Sequence, residues 1–520
     1  MSPQILGIDL GTTNSVVATL DDLGNIVVTP NALGQEITPS AVYFDGDEAI
    51  VGADALAANA LDPDNGVVLI KRRMGTEAPV FVAGRTFAPE SISALILRQL
   101  VAPTSEGSVP RAVITVPAYF GTAEREATLQ AGEIAGITVL ELLDEPVAAL
   151  MPQIANGAEG TFVVYDLGGG TFDTSVISSR TGKLMVVATD GHHSLGGADV
   201  DARLVDLVLE RVHGSIPEDA WEDFVEDRPA LGSLRLEVEN LKKALSTSTN
   251  RTLRVQTNEG AINVTITRED LRLACEDLFN STMEVLDRVV AAARAKGHSN
   301  LAGIVMVGGS SRIPVLSEMI EAKFGIHPRL VEPDLAVAKG AALRAHWLER
   351  TPQFELWRDR ARSAGQLIAA QAPSMSVTPR AIGVLVRDSF DPKGTREFVD
   401  HLISANTSLP TRASKKFATI SDGQKVVRIQ VYEQAGVTVS DEVGHNRLVI
   451  DGELSGLGEL PAGSPIEVIL DVAADGQLSV NARDEKSGRS LVVQAFVAGV
   501  VDSAEKRAIV DQVGLIRVRG

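Results

Sequence analysis

Over residues 3 to about 345, short apolar runs alternate with segments of helical period, an order that predicts an α/β architecture. Val109 to Val116 reads as a buried strand ending at Pro117. Thr122 to Gly136 reads as a helix closed by Gly136, and Thr138 to Leu143 as the next strand. Asp201 to His213 and Arg268 to Lys296 carry the amphipathic period of helices. Gly303 to Val307 is an apolar strand before Gly308-Gly309. From about 377 to 500 the period shortens to two. Val426 to Tyr432, Ile466 to Val472 and Leu478 to Ala482 alternate between turns such as Asp422-Gly423 and Asp475-Gly476, which predicts an all-β sandwich. Between the two regions, Trp347, Phe354, Leu356 and Trp357 sit among charges and read as a helical connector running into a loop, Ala369 to Ser376. The expected division is 1–345, 346–376 as connector and linker, 377–500, and 501–520 with one short helix, Ser503 to Val513.

One pattern occurs twice. Ile5 to Ser15 and Val163 to Asp173 each run apolar strand, Asp, Leu, Gly turn with Thr, apolar strand. Gly lets a backbone come close to a ligand, and successive amides in such a turn converge on a phosphate. The Asp closing each strand, Asp9 and Asp166, can hold a hydrated Mg²⁺. Two such hairpins facing one another would grip a triphosphate from both sides.

Composition narrows the choice. The net charge of −20, from 48 basic and 68 acidic residues, disfavours nucleic acid and anionic membrane as partners. The single cysteine, Cys275, excludes an internal disulfide, suggests a reducing compartment and reads as a buried or half-buried, inert thiol. No signal-peptide pattern and no bilayer-length apolar run stand out, so the expected location is cytoplasmic.

The chain resembles the seventy-kilodalton heat-shock (DnaK-type) chaperones. The resemblance rests on Gly7–Ser15, Ala112–Arg125, Asp144–Leu150, Asp166–Asp173, Leu195-Gly196-Gly197, Val307–Pro314 and Glu332–Ala338, all in family order. It implies a two-lobed, actin-like (ribonuclease-H-like) ATPase domain over 1–345 and a β-sandwich at 377–500 that binds unfolded or extended polypeptide. The implied cofactors are ATP or ADP with Mg²⁺, and K⁺ as the monovalent candidate.

Carried over residue by residue, Asp9 and Asp166 would hold the Mg²⁺ shell. Gly11, Thr12, Thr13 and Asn14 would contact the phosphates from one lobe, and Gly168, Gly169, Gly170 and Thr171 from the other, beside Gly196 and Gly197. Lys71 matches the family's catalytic lysine, although Lys71, Arg72 and Arg73 together look like an exposed basic face. Glu145 matches the glutamate near metal and water, and Asp173 the position for water polarisation or a monovalent cation. Glu239, Lys242 and Ser246 match the adenosine helix; Gly308, Gly309, Ser310, Ser311 and Arg312 match the adenine turn, which Asp334 would close. Pro117 and Arg125 match a pair tied to signalling between domains.

The chain departs from the family where work is transmitted. The linker before Val377 is Ala372-Pro373-Ser374-Met375-Ser376 rather than acidic and aliphatic, with only Leu367 and Ile368 as aliphatic bulk nearby, so coupling would be lost or use another surface. Glu141 and Leu129 replace basic residues of the J-domain face. The segment between Met74 and Ala112 is short, which would alter docking of a nucleotide-exchange factor. The first β-domain loop, Asp388 to Gly394, departs too, and no helical lid is expected. Two other readings remain: an ATP-controlled scaffold with one dedicated partner, favoured by the missing lid and changed linker, and a small-molecule kinase on the same fold.

Overall fold

The computed structural model describes the chain apart from residues 1–4, 22, 105–107, 156, 181–182, 351–373, 389–390, 392–394, 437, 455–458, 485–489, 493–495, 498–499 and 502. Two six-stranded sheets share one plan. In the first, Ile5–Leu10 pairs antiparallel with Asn14–Leu20 and parallel with Arg111–Val116. In the second, Gly160–Leu167 pairs antiparallel with Phe172–Arg180 and parallel with Gly303–Val307. Both central strands are buried on both faces, as their unbroken apolar runs require.

The two sheets meet at a seam of helices. Ala336–Arg350 crosses Glu145–Ala155, and both pack into one core with Val113, Phe162 and Val305. Glycine makes the crossing possible. A Cβ on Gly340 would lie 1.8 Å from the Ala148 carbonyl oxygen, and one on Gly7 would lie 2.0 Å from the Ala342 nitrogen.

The later region is a sandwich of a five-stranded and a four-stranded sheet. Alternation is clean in Pro465–Val472, where every second residue is buried, and Val384, Val431, Leu470 and Val480 fill the space between the sheets.

Several boundaries differ from the sequence pattern. The strand before Pro117 starts at Arg111, since Val109 is exposed. The helix expected from Asp201 begins at Gly197, because the Asp199 carboxylate accepts from the Gly196 amide and starts it early. The long helix expected over Arg268–Lys296 is two, Arg268–Ala274 and Glu276–Ala295, broken at Cys275 where φ is −118°. Cys275 is buried, as expected, and burial pushes its thiol up to about 12.

The connector expected from residue 346 starts inside the Ala336–Arg350 helix, and most of it, with Leu367 and Ile368, lies outside the described residues. The polar linker is not wholly loop: Ser374–Met375 adds as a parallel strand to Lys183–His192 at the edge of the second sheet. Most of the 388–394 loop also lies outside the described residues. The last helix runs Ser503–Leu515, and an unexpected strand follows, Arg517–Arg519.

Candidate functional site

Both Gly turns open into one cleft of about 1560 Å³. The turns press against each other across it. A Cβ on Gly169 would sit 2.1 Å from Thr13 Oγ1, and one on Gly170 would sit 2.2 Å from Thr12 Cγ2. Gly11 is tight for a local reason, since a Cβ there would meet the Asn14 carbonyl oxygen at 2.0 Å. The Thr12 hydroxyl is buried and has no hydrogen-bond partner among the described residues, which leaves it able to serve a ligand.

Carboxylates line the floor. Burial, and then the charge of Glu145, pushes Asp9 up to about 7, although Lys71 pulls the other way. Asp166 is raised well above the usual carboxylate range by burial, then by Glu145 and Asp9. Crowded acids that hold protons so tightly are short of positive charge. Lys71 supplies one: Nζ lies 2.5 Å from Glu145 Oε1, and both side chains are buried. The donor set fits a divalent cation shared with phosphate. Among the described residues no group of three or more His, Cys, Asp or Glu forms a closed metal cage, and Mg²⁺ needs none because it keeps water and phosphate ligands.

The basic run 71–73 is sorted by the fold. Lys71 points into the cleft. Arg72 crosses to the second hairpin, where Nε donates to the Gly170 carbonyl at 2.7 Å, and its Nη2 meets Asp199 Oδ2 of the following helix at 2.5 Å. Arg73 stays outside and binds the carbonyls of Ala78 and Pro79. Arg72 and Asp199 were not singled out by sequence, because nothing local says that a basic residue reaches another lobe.

Glu239, Lys242, Ser246, Gly308, Gly309, Ser310, Arg312 and Asp334 line the far end of the same cleft. Arg312 Nη2 lies 2.5 Å from Asp334 Oδ2, and Lys242 Nζ lies 2.6 Å from Asp201 Oδ2. Glu239 is bound to Lys243 at 2.7 Å. Gly196 and Gly197 lie behind the second turn rather than in the lining. A Cβ on Gly196 would be 2.6 Å from the Gly170 nitrogen, so Gly196 lets that turn seat on the next helix.

Asp173 stands apart from the cleft lining. Its Oδ2 accepts from the Ala118 amide at 2.6 Å, its Oδ1 is buried without a hydrogen-bond partner among the described residues, and burial raises its pKa well above the ordinary range. It ties the second hairpin to the residue after Pro117. Arg125 continues that path: it holds Asp144 at 2.6 Å and donates to the Asp475 carbonyl of the sandwich at 3.2 Å. Glu141 is held by Arg344 at 2.8 Å, which explains how an acid is accommodated there.

A profile of the family described as "Hsp70 protein" matches residues 5–81 and 77–513. "Chaperone protein DnaK" of Thermotoga neapolitana is 36% identical over 512 residues, covering 94% of this chain and 80% of its own length. The protein of the same name from Thermosipho melanesiensis is 35% identical over 508 residues, covering 93% of this chain and 79% of its own. That of Thermotoga maritima is 36% identical over 94% of this chain.

Proposed function

This chain belongs to the Hsp70 family, ATP-hydrolysing chaperones that bind unfolded polypeptide, and we propose that the Lys71–Glu145 pair is the catalytic centre of its ATPase. The observation that carries this is a buried, 2.5 Å ion pair set against two carboxylates, Asp9 and Asp166, that are starved of positive charge.

ATP lies in the cleft with its phosphates between the two turns and its base toward Arg312 and Asp334. Asp9 and Asp166 would hold Mg²⁺, which would supply neutralisation of the charge that builds as ADP leaves, and K⁺ would be the monovalent ion of the same site. Lys71 aligns the attacking water against the terminal phosphate, and Glu145 fixes Lys71 and takes up the water's proton. Thr12 and Thr171 hydroxyls and the turn amides stabilise the phosphate oxygens in the transition state. Asp173 acts one layer back, by holding Ala118 and the Pro117 turn in register with the second hairpin. Glu239, Lys242 and Ser246 bind the nucleoside.

The sandwich, roughly residues 377–500, takes the polypeptide, in a cytoplasmic setting. Because Glu141 is already neutralised by Arg344, a J-domain partner gains little here, and stimulation by one is weak. The short upper part of the first lobe makes exchange-factor docking non-standard.

The test is ATP turnover without added acceptor. The wild type turns over slowly. Lys71→Ala lowers kcat by about a hundredfold or more while nucleotide affinity changes much less, since its interaction belongs to the transition state. Full activity in Lys71→Ala, or turnover that needs a sugar or other acceptor, rejects the proposal.

A further inference from the structure

The chain does not stop at the sandwich. Its last eighteen or so residues return to the first lobe and are built into it. That lobe carries a small upper sheet whose strand order is Arg517–Arg519, Glu48–Val51, Val42–Asp45, Gly66–Val67. The last strand runs parallel to Glu48–Val51, with Arg517, Val518 and Arg519 opposite Glu48, Ala49 and Ile50.

The contact is a packed one. Val513 and Ile516 are 1% and 5% exposed and belong to the same core as Phe44, Phe87 and Leu97 of the first lobe. Carbonyls at and just past the helix end find a donor: Arg98 binds those of Val513, at 2.6 Å, and of Ile516. Gln99 donates to the Gly520 carbonyl at 2.6 Å, and Gln130 to the Val501 carbonyl at 3.1 Å. Lys506 pairs with Glu133, and Arg519 with Asp45 and Glu48. Without this strand, Glu48–Val51 would present an unpaired edge above a partly uncovered core.

The sandwich is therefore strung between lobes. It is entered from Ser374–Met375, which is paired to the second sheet, and left through Ser503–Leu515, which is packed on the first. We infer that the edge of Glu48–Val51 is a strand-accepting surface whose resident occupant is this chain's own Arg517–Arg519, and that this strand is a second tether holding the sandwich against the ATPase lobes. A sandwich tethered at one end can swing free. One held at both ends moves only as far as the two lobes rotate, so nucleotide state alters peptide exchange in small steps until the last strand unzips.

The strand pairing is tested without any assumption about function. Ala49→Cys/Val518→Cys places two thiols on register partners in the full chain, while Cys275 is buried and inert. Mild oxidation should give an intramolecular disulfide at least about tenfold faster than in a Val67→Cys/Val518→Cys control across the sheet. Equal rates, or a crosslinked dimer as the main product, overturn the inference. The tether's effect rests on the chaperone reading. Reduced Arg98→Ala/Gln99→Ala protein should show a nucleotide-dependent change in peptide off-rate at least about threefold larger than wild type, because affinity changes appear mostly in dissociation. The same ratio in both proteins overturns the tether. Absence of peptide binding in wild type would defeat the chaperone reading, and the crosslink would still decide the strand.

Discussion

Glu90 carries a carboxyl group in the first turn of the Pro89–Val101 helix, 1% exposed, with no hydrogen-bond partner for Oε1 among the described residues. Burial pushes its pKa from 4.5 up to about 7. The folded chain thus binds that proton more tightly than the unfolded chain does. The resulting stabilisation is complete below pH 4.5 and is lost as pH rises through 7. The loss is on the order of 3 kcal/mol, since each tenfold gain in proton affinity is worth about 1.4 kcal/mol. Melting of the nucleotide-free wild type should therefore weaken between pH 5 and 8, and Glu90→Gln should melt with a visibly flatter pH dependence. Parallel curves for the two proteins would show that Glu90 finds compensation elsewhere. At this scale the sequence is least explicit. Glu90 looks like an ordinary helix-start acid, and Lys71, Arg72 and Arg73 look like one exposed face, yet the fold gives the three bases three different fates. Charge identity is local, but the partners of Lys71 and Arg72 lie 74 and 98 positions away.

Elements are more legible, because period and turn chemistry are written in adjacent residues. The doubled Asp-Leu-Gly hairpin, the strand before Pro117 and the sandwich strands lie where the pattern puts them, within a few residues. What period cannot show is where two elements touch. The helix Arg228–Leu245 meets Ala53–Leu61 at the mouth of the cleft, and Gly232 is the contact: a Cβ there would lie 1.6 Å from the Ala60 carbonyl oxygen. Arg228 and Asp64, 3.0 Å apart, close the same mouth but are exposed, so little energy rests on them. Gly232→Ala should push the two helices apart and speed release of a fluorescent ADP analogue by roughly three- to tenfold, since gating acts on the release rate. Its melting temperature should fall as well, since the added Cβ meets backbone. Gly7→Ala, under the seam, should lower stability by about 2 kcal/mol or more for the same reason. Unchanged ADP release in Gly232→Ala would mean that the mouth does not limit exit. The strand Arg517–Arg519 was not foreseen for a related reason. Three residues carry almost no period, and the partner strand lies at the other end of the chain.

For the whole molecule, the polar linker suggested lost coupling or coupling through another surface, and the docked arrangement has such a surface. Gly121 and Thr122 abut Glu433 of the sandwich, with both the Thr122 amide and hydroxyl 3.3 Å from Glu433 Oε1. Around this point sit two acids and two bases. Arg447 lies 2.8 Å from Glu124 and 3.6 Å from Glu433, and Arg380 lies 3.6 Å and 3.5 Å from the same two. Burial alone would raise the Glu124 pKa, but Arg380 and Arg447 outweigh it and bring it below the ordinary value, so Glu124 keeps its charge near neutrality. None of this was visible in sequence, since each residue is unremarkable in its own strand or helix. Glu433 is the buried member, and removing its charge leaves two half-buried arginines with one acid to share, which is costly. Glu433→Ala should therefore free the sandwich from the Thr122–Ile134 helix. Small-angle scattering should report this. A compact chain of 520 residues has a radius of gyration of roughly 24 Å, and the variant should exceed wild type measurably, within the limit that the strand Arg517–Arg519 sets. Lys425→Ala, which breaks only an exposed pair with Glu459, should leave the radius unchanged. Equal radii for Glu433→Ala and wild type would place the docking energy elsewhere, with the strand Arg517–Arg519 and its Arg98 anchor as the remaining hold.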